Sequence, residues 1–299
     1  MIKEKNLTVR SWKDYELIDS GDNKKLERYG EFTLIRPETQ ALWAPSQPDA
    51  WKKANAEFVW ADGKGVWRKK FIKEPWEFSW EDIHCTLELT SFKHLGVFPE
   101  QAENWRWIKE RIAGLAEGRE EHRSEKPVRV LNLFGYTGAA SIAAAKSGAE
   151  VTHVDASRQS NEWAKENATR SEVPQENIRY ILDDALKFVE REVRRGAEYE
   201  GIILDPPAFG RGAKGEVWRV EEDLSKLLAA LAKIFSKKEG AFFLLNGYAS
   251  GYSPQSFLQA VQHFFPPAKM SGEFGELRLQ ETASAARYIS SGIYVRFAR

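Results

Sequence analysis

From Val128 onward, short apolar runs alternate with longer amphipathic stretches. Val128-Arg-Val-Leu-Asn-Leu-Phe134 predicts a strand, and the small residues from Ala139 to Ser147 predict a helix. The same alternation predicts strands at 150–155, 177–182, 199–205 and 241–246. Helices are expected at 158–170, 185–195, 217–235 and 254–264. Two late runs, 276–281 and 292–299, are expected to close the sheet as a pair. Repeated strand–helix units of this length imply a doubly wound α/β sheet, parallel, with helices on both faces. Ligands of such sheets bind beyond the carboxyl ends of the strands.

Before residue 80 the pattern differs. Seven of the eleven tryptophans (Trp12, Trp43, Trp51, Trp60, Trp67, Trp76 and Trp80) lie there, among β-like runs such as Phe32 to Ile35. Residues Glu57 to Phe71 read as a hairpin turning at 61–65. The expected organisation is a small β-rich N-terminal domain over 1–80, a connecting segment over 81–127 and the α/β domain over 128–299. Within the connection, the charged, glycine-containing stretch 114–127 is expected to be a loop.

Composition narrows the function classes. With 42% hydrophobic and 29% charged residues the 299-residue chain has an ordinary globular mixture. Its 44 basic residues balance 44 acidic ones, so a nucleic-acid partner has to be held by a local patch. The single cysteine, Cys85, excludes an internal disulfide and a cysteine–zinc cluster, and suits a reducing compartment. No apolar run reaches membrane-spanning length. A cytoplasmic protein without a metal is expected, and nothing in the pattern selects an oligomeric state.

The strand ends carry the candidate chemistry. Asn132-Leu-Phe-Gly-Tyr-Thr-Gly138 opens a helix, with Gly135 and Gly138 allowing a sharp turn and close approach to a ligand. The free N–H groups of that helix favour a carboxylate. Asp155, ending the second strand, is placed to accept both hydroxyls of a ribose. Asp183 and Asp184, after the third, are placed to meet an adenine amino group. The fourth strand ends in Asp205-Pro-Pro-Ala-Phe209, where a carboxylate and a proline carbonyl can accept hydrogen bonds from an amino group or ring N–H. Phe209 offers a ring to an unstacked base. Glycine turns and strand-end acids also build ordinary α/β loops, but three of them in order point to one ligand. A dinucleotide fits less well, because the first turn is not G-x-G-x-x-G.

Three segments, Val130 to Gly138, Val154-Asp-Ala-Ser157 and Leu204 to Phe209, together resemble a known family. They are similar to class I S-adenosylmethionine-dependent methyltransferases of the bacterial 23S rRNA group, of RlmI/RlmK type. Gly96-Val-Phe-Pro-Glu-Gln101 is similar to that family's G-x-F-L-D-Q-R segment ahead of the catalytic domain. The resemblance runs from about residue 90 to the end of the chain and implies a Rossmann-like methyltransferase sheet with S-adenosylmethionine as cofactor. It places Phe98, Gln101, Asn132, Phe134, Gly135, Tyr136, Thr137, Gly138, Asp155, Ala156, Ser157, Asp183, Asp184 and Asp205 around the cofactor. It places Asp205, Pro206, Pro207 and Phe209 against the methyl acceptor.

Two departures matter. Ala102 stands where the family has arginine, and Leu245 to Ser250 lacks the cysteine that cytosine-5 members use on the pyrimidine ring. Transfer to a nitrogen of a ribosomal RNA base, with Asp205 orienting it, is the expectation. A methyltransferase for a small molecule or protein is the alternative among enzymes. A non-catalytic cofactor-binding RNA module is the alternative of another class, opposed by the intact Asp205-Pro-Pro207.

From Trp51 to Lys73, Lys52, Lys53, Lys64, Arg68, Lys69, Lys70 and Lys73 outnumber Glu57 and Asp62. Trp51, Trp60, Trp67 and Phe71 are interleaved, a mixture that suits unpaired RNA and equally a one-sided sheet with a solvated lysine face. Arg211 and Lys214 are further candidates for phosphate contact.

Overall fold

The computed structural model describes residues 1–69, 71–121, 126–212, 215–248, 251–266, 270–284 and 286–299. Lys70, Lys214 and the 249–250 end of the cysteine-free segment lie outside them. The chain forms two units that are not contiguous in sequence. The larger contains 1–7, 103–276 and 292–299, and the smaller 8–102 and 277–291. These limits differ from the contiguous segments expected, because both ends of the chain are sheet strands.

Two short strands begin the chain, β1 (Ile2–Glu4) and β2 (Leu7–Val9). A five-stranded sheet follows in sequence order: β3 (Tyr15–Gly21), β4 (Lys24–Tyr29), β5 (Phe32–Pro37), β6 (Ala56–Ala61) and β7 (Lys64–Lys69). A one-turn helix, α1 (Pro48–Trp51), lies in the connection that makes β5 and β6 parallel. The hairpin expected over 57–71 is β6–β7, with Trp60 paired to Gly65. A second hairpin, β8 (Trp76–Trp80) with β9 (Ile83–Leu87), completes the β-rich region.

The smaller unit buries charge as well as rings. The fully buried Glu27 accepts from Tyr15 Oη at 2.9 Å, Tyr29 Oη at 3.1 Å and Arg36 Nε at 2.8 Å. Its desolvation is thus answered by donors on three sides, as a buried carboxylate requires. Asp19, also fully buried, takes N–H groups of Ser46 and Gln47 at 2.9 and 2.8 Å.

The larger unit is built on α2 (Ala102–Glu121), β10 (Val128–Leu133), α3 (Ala139–Lys146), β11 (Ala149–Asp155), α4 (Arg158–Arg170) and β12 (Ile178–Leu182). It continues through α5 (Ala185–Arg194), β13 (Gly201–Leu204), β14 (Phe209–Arg211), β15 (Val217–Arg219) and α6 (Val220–Ile234). It ends with β16 (Phe242–Gly247), α7 (Pro254–Phe264), β17 (Ser271–Gln280) and β18 (Tyr288–Ala298).

Strand order in the main sheet is β1-β17-β18-β16-β13-β10-β11-β12, with β2 also on β17. The core strands β12, β11, β10, β13 and β16 are mutually parallel, and β18 runs antiparallel to β16. Such strands are buried on both faces, which is why 242–247 is buried throughout. Leu131, Leu133, Ile202, Leu204, Phe243 and Leu245 pack with α5, α6 and α7 on one face. On the other, Trp107 of α2 meets Phe242 at 5.6 Å. Among the described residues no helix is long and apolar enough to cross a membrane.

Two expectations are corrected here. The loop expected over 114–127 is helical as far as Glu121. Burial of Trp105, Ile108, Ile112 and Leu115, three and four residues apart, outweighs the glycines, since Gly114 and Gly118 face open space. The helix expected from Val217 starts at Val220, because 217–219 pair with 209–211 instead.

Candidate active site

The turn after β10 is held in an unusual conformation. Phe134 and Tyr136 have φ of 56° and 49°, and Gly138 has 92°. A non-glycine residue in the left-handed region costs about 1–3 kcal/mol, and such residues gather at ligand sites. The glycines have definite reasons. A Cβ on Gly135 would lie 2.3 Å from His153 Cε1, so its bareness makes room for an imidazole below the turn. Gly138 needs its positive φ and also approaches Ala164, whose Cβ would be 3.0 Å away. Close packing within the protein thus requires a glycine at both positions.

Below the turn runs a buried polar chain. Asn132 Nδ2 donates to Ser141 Oγ at 2.8 Å, and Ser141 Oγ lies 2.9 Å from His153 Nδ1. Burial pushes the His153 imidazole down to about 4, so it is neutral near pH 7. Asn132 thus faces the interior. From the side, α4 braces the turn: Asn167 Nδ2 donates to the Thr137 carbonyl at 3.0 Å, and Trp163 lies 6.4 Å from the Tyr136 ring. His153, Asn161, Trp163 and Asn167 were not singled out by the sequence pattern, for polar residues within strand and helix runs carry no local signature.

The helix behind the turn is open at its start. Gly138 caps α3 without a side-chain hydrogen bond, and the first turn holds no acid. N–H groups left in this state attract an anion. Beside it, Asp155 receives Tyr136 N on Oδ2 and Ser157 N on Oδ1, both at 2.8 Å. Burial raises its pKa, opposed by those N–H groups. Asn161 ties the backbone here, donating to the carbonyls of Asp155 and Ser157 at 2.9 and 3.0 Å. Ser157 caps α4, and Ala156 lies half-buried between cap and carboxylate. An anion-seeking helix end next to a half-buried, hydrogen-bonded carboxylate is a donor and acceptor set fitted to an amino-acid carboxylate and a ribose.

Beyond β12, the two acids already have partners. Asp183 is ion-paired with Arg191 and receives Asp184 N at 2.9 Å. Asp184 caps α5 through Lys187 N at 2.9 Å. Asp183 remains beside Asp155, since its N–H donates to the Asp155 carbonyl at 3.3 Å.

At the end of β13, Asp205 is half-buried and Pro206 buried. The Pro207 carbonyl is occupied: Trp218 Nε1 donates to it at 2.7 Å. Trp218 also lies against Phe134, with ring centroids 4.9 Å apart, and so ties the first and fourth strand ends together. Phe209 is 50% exposed, with the Arg219 guanidinium 5.5 Å from its ring centroid. Arg211 stands exposed on the same hairpin. Asn132, Phe134 to Gly138, Asp155 to Ser157, Asp183, Asp184 and Asp205 to Phe209 therefore belong to one unit and one edge of its sheet. Phe98 and Gln101 belong to the smaller unit, where Phe98 precedes and Gln101 ends a short turn at 99–101, and Phe98 packs on His94 at 5.1 Å.

Known proteins resemble this chain in sequence and fold. A crystal structure of an S-adenosylmethionine-dependent methyltransferase from Agrobacterium tumefaciens is 38% identical, with a TM-score of 0.90 over all of this chain and 95% of that one. A protein crystallised with S-adenosylhomocysteine shares the fold at a TM-score of 0.73 and 18% identity, over 96% of this chain and 76% of its own. Ribosomal RNA large subunit methyltransferase K/L of Shewanella sp. (strain MR-4) is 33% identical over 163 residues, 54% of this chain. The match spans about a fifth (21%) of that relative's length. A family model described as S-adenosylmethionine-dependent methyltransferase matches residues 31–260. With three-quarters of its length inside that match, the chain belongs to the S-adenosylmethionine-dependent methyltransferases.

Proposed function

We propose that this methyltransferase acts on a base of ribosomal RNA, and at a nitrogen rather than at cytosine C5. The observation that carries the reading is the end of β13, where half-buried Asp205 is followed four residues later by a ring that is 50% exposed. A carboxylate acceptor and a half-exposed aromatic ring on one short strand-end segment suit a base removed from its stack. The names of the Shewanella relative and of a Methanocaldococcus jannaschii protein, 38% identical over 86 residues, support the ribosomal RNA part of this reading.

The bound cofactor supplies a methyl group on a positively charged sulfur, which leaves as a neutral thioether. The protein's part is chiefly alignment, which by itself can supply much of a rate enhancement. Asp205 accepts a hydrogen bond from the N–H of the acceptor's amino group or ring nitrogen, orients that nitrogen, and takes the proton it releases as the N–C bond forms. Asp205 and the proline carbonyls take the acceptor roles, the Pro207 carbonyl being fixed in direction by the Trp218 N–H on one of its two lone pairs. The cofactor's amino-acid carboxylate is assigned to the start of α3 and its ribose hydroxyls to Asp155. The adenine edge is assigned to Asp183 and Asp184.

Nitrogen is favoured by what Cys85 cannot do. It is buried on β9, and burial pushes its thiol up to about 12, so it holds little thiolate at neutral pH. Attack on a pyrimidine ring needs a thiolate.

The test is transfer of labelled methyl groups to ribosomal RNA from a strain lacking the gene, with the product nucleosides identified by mass spectrometry. One N-methylated nucleoside is expected, lost with Asp205→Ala and retained with Cys85→Ala. Label in 5-methylcytosine would overturn the nitrogen assignment. Label that enters only small molecules or protein would overturn the RNA assignment.

A further inference from the structure

The structure sorts the basic, aromatic stretch 51–73 into anchored and open side chains. Trp51 donates its indole N–H to Asp19 Oδ2, and Trp67 to the Thr90 carbonyl, each at 2.8 Å. These rings are fixed inward. Trp60, in contrast, is 65% exposed. Phe58 supports it edge-on, with ring centroids 5.4 Å apart and planes at 89°.

One more ring stands open beside Trp60, and another at the far end of β7. A Cβ on Gly65, the residue paired with Trp60, would lie 2.9 Å from the Ser91 carbonyl. The loop that carries Phe92 is therefore pressed against the hairpin at the Trp60 rung, and Phe92 is 67% exposed. Phe71, just after β7, is 74% exposed. Single exposed apolar residues are ordinary, but a supported group of rings signals a binding surface.

The cations sort in the same way. Lys52 is paired with Asp49 and Lys69 with Glu74, each at 2.7 Å. Lys53, Lys64, Arg68 and Lys73 have no ion pair among the described residues. β7 is the end strand of its sheet. By strand alternation, Lys64 and Arg68 leave it on the face opposite Trp60.

We propose that the β6–β7 hairpin, with Trp60 and Phe92, is a stacking platform for unpaired bases of the RNA substrate. RNA running along the open edge of β7 meets rings on one side, and Lys64 and Arg68 reach its phosphates from the other. Stacking on exposed rings with cations on the backbone is how single strands are held without sequence preference. An apolar protein partner would cover the rings but give no role to the unpaired cations. The proposal rests on the RNA reading of the active site.

The test uses full-length protein, a short fluorescein-labelled oligouridylate and ribosomal RNA. Trp60→Ala is expected to weaken oligonucleotide binding about 5- to 100-fold. Lys64→Ala/Arg68→Ala is expected to weaken it and lower the salt slope by up to about 2. Both variants should bind S-adenosylhomocysteine as wild type does, which certifies their fold. If both variants bind the oligonucleotide and methylate ribosomal RNA as wild type does, the platform is refuted while the function stands. If wild-type protein neither binds nor methylates RNA, the function itself fails and the platform with it. Self-association of the wild-type protein that Trp60→Ala abolishes, with no binding of RNA, would make the surface a self-association face and also overturn the proposal.

Discussion

At the scale of single residues, the site depends on pairs that meet across the sheet. Asp155 holds two loops by its N–H bonds and is the acceptor assigned to the ribose. Asp155→Ala should weaken S-adenosylhomocysteine binding about 10- to 100-fold in calorimetric titration, the worth of hydrogen bonds to a charged group. His153 gives a pH dependence of definite sign. Its ordinary pKa of 6.5 is lowered to about 4 in the fold, so the unfolded chain takes up a proton that the native state refuses. The contribution is therefore complete above about pH 6.5 and is lost as pH falls toward 4, by about 3 kcal/mol. Urea unfolding at pH 7.5 and 5 should show about 2 kcal/mol of this loss, and His153→Gln should show a smaller one. Asp155, with its raised pKa, contributes in the opposite sense, so the difference between wild type and His153→Gln isolates the imidazole. Asp155 and Asp205 were legible because strand-end acids stand out against apolar runs. His153 was not, since the contact that explains it lies with Gly135, on the neighbouring strand's loop.

At the scale of elements, local propensity yields to pairing and burial. Gly114 and Gly118 suggest a loop, yet α2 runs through them because its buried stripe continues to Leu115. Gly114 is exposed, with nothing within 4 Å of a Cβ placed there. Gly114→Ala should thus stabilise the protein by about 0.5–1 kcal/mol, read as a higher midpoint in thermal unfolding. Residues 217–219 precede the acidic first turn of α6 and read as helix, but they become strand by pairing with 209–211. That change aims Trp218 at Pro207 and Phe134. Trp218→Phe keeps a ring against Phe134 and removes the N–H that holds the Pro207 carbonyl. It should lower kcat about tenfold, a loss near 1.4 kcal/mol, while leaving cofactor affinity unchanged. A fall in cofactor affinity of the same size would instead place Trp218 in cofactor binding.

At the scale of the whole molecule, the ends of the chain and its middle share one sheet. β1 pairs in parallel with β17, Tyr294 Oη donates to the Lys5 carbonyl at 2.7 Å, and Lys5 pairs with Glu273 at 2.6 Å. Leu7 is only 5% exposed. Deleting residues 1–7 should lower the midpoint of thermal unfolding by about 5–10 °C, from the lost apolar burial and edge pairing. The sequence by itself determined the larger unit's alternation of strand and helix, the β6–β7 hairpin and the strand ends that carry Asp155 and Asp205. These follow from periodicity and turn chemistry, which act over a few residues. Tertiary structure alone decided that residues 1–7 join the last strands, that Gly135 makes room for His153, and that Trp218 closes the Asp205 turn. It also decided that Trp60 stays open while Trp51 and Trp67 are anchored. Each of these depends on partners distant in sequence, and the energy of a contact exists only once the chain has brought its two sides together.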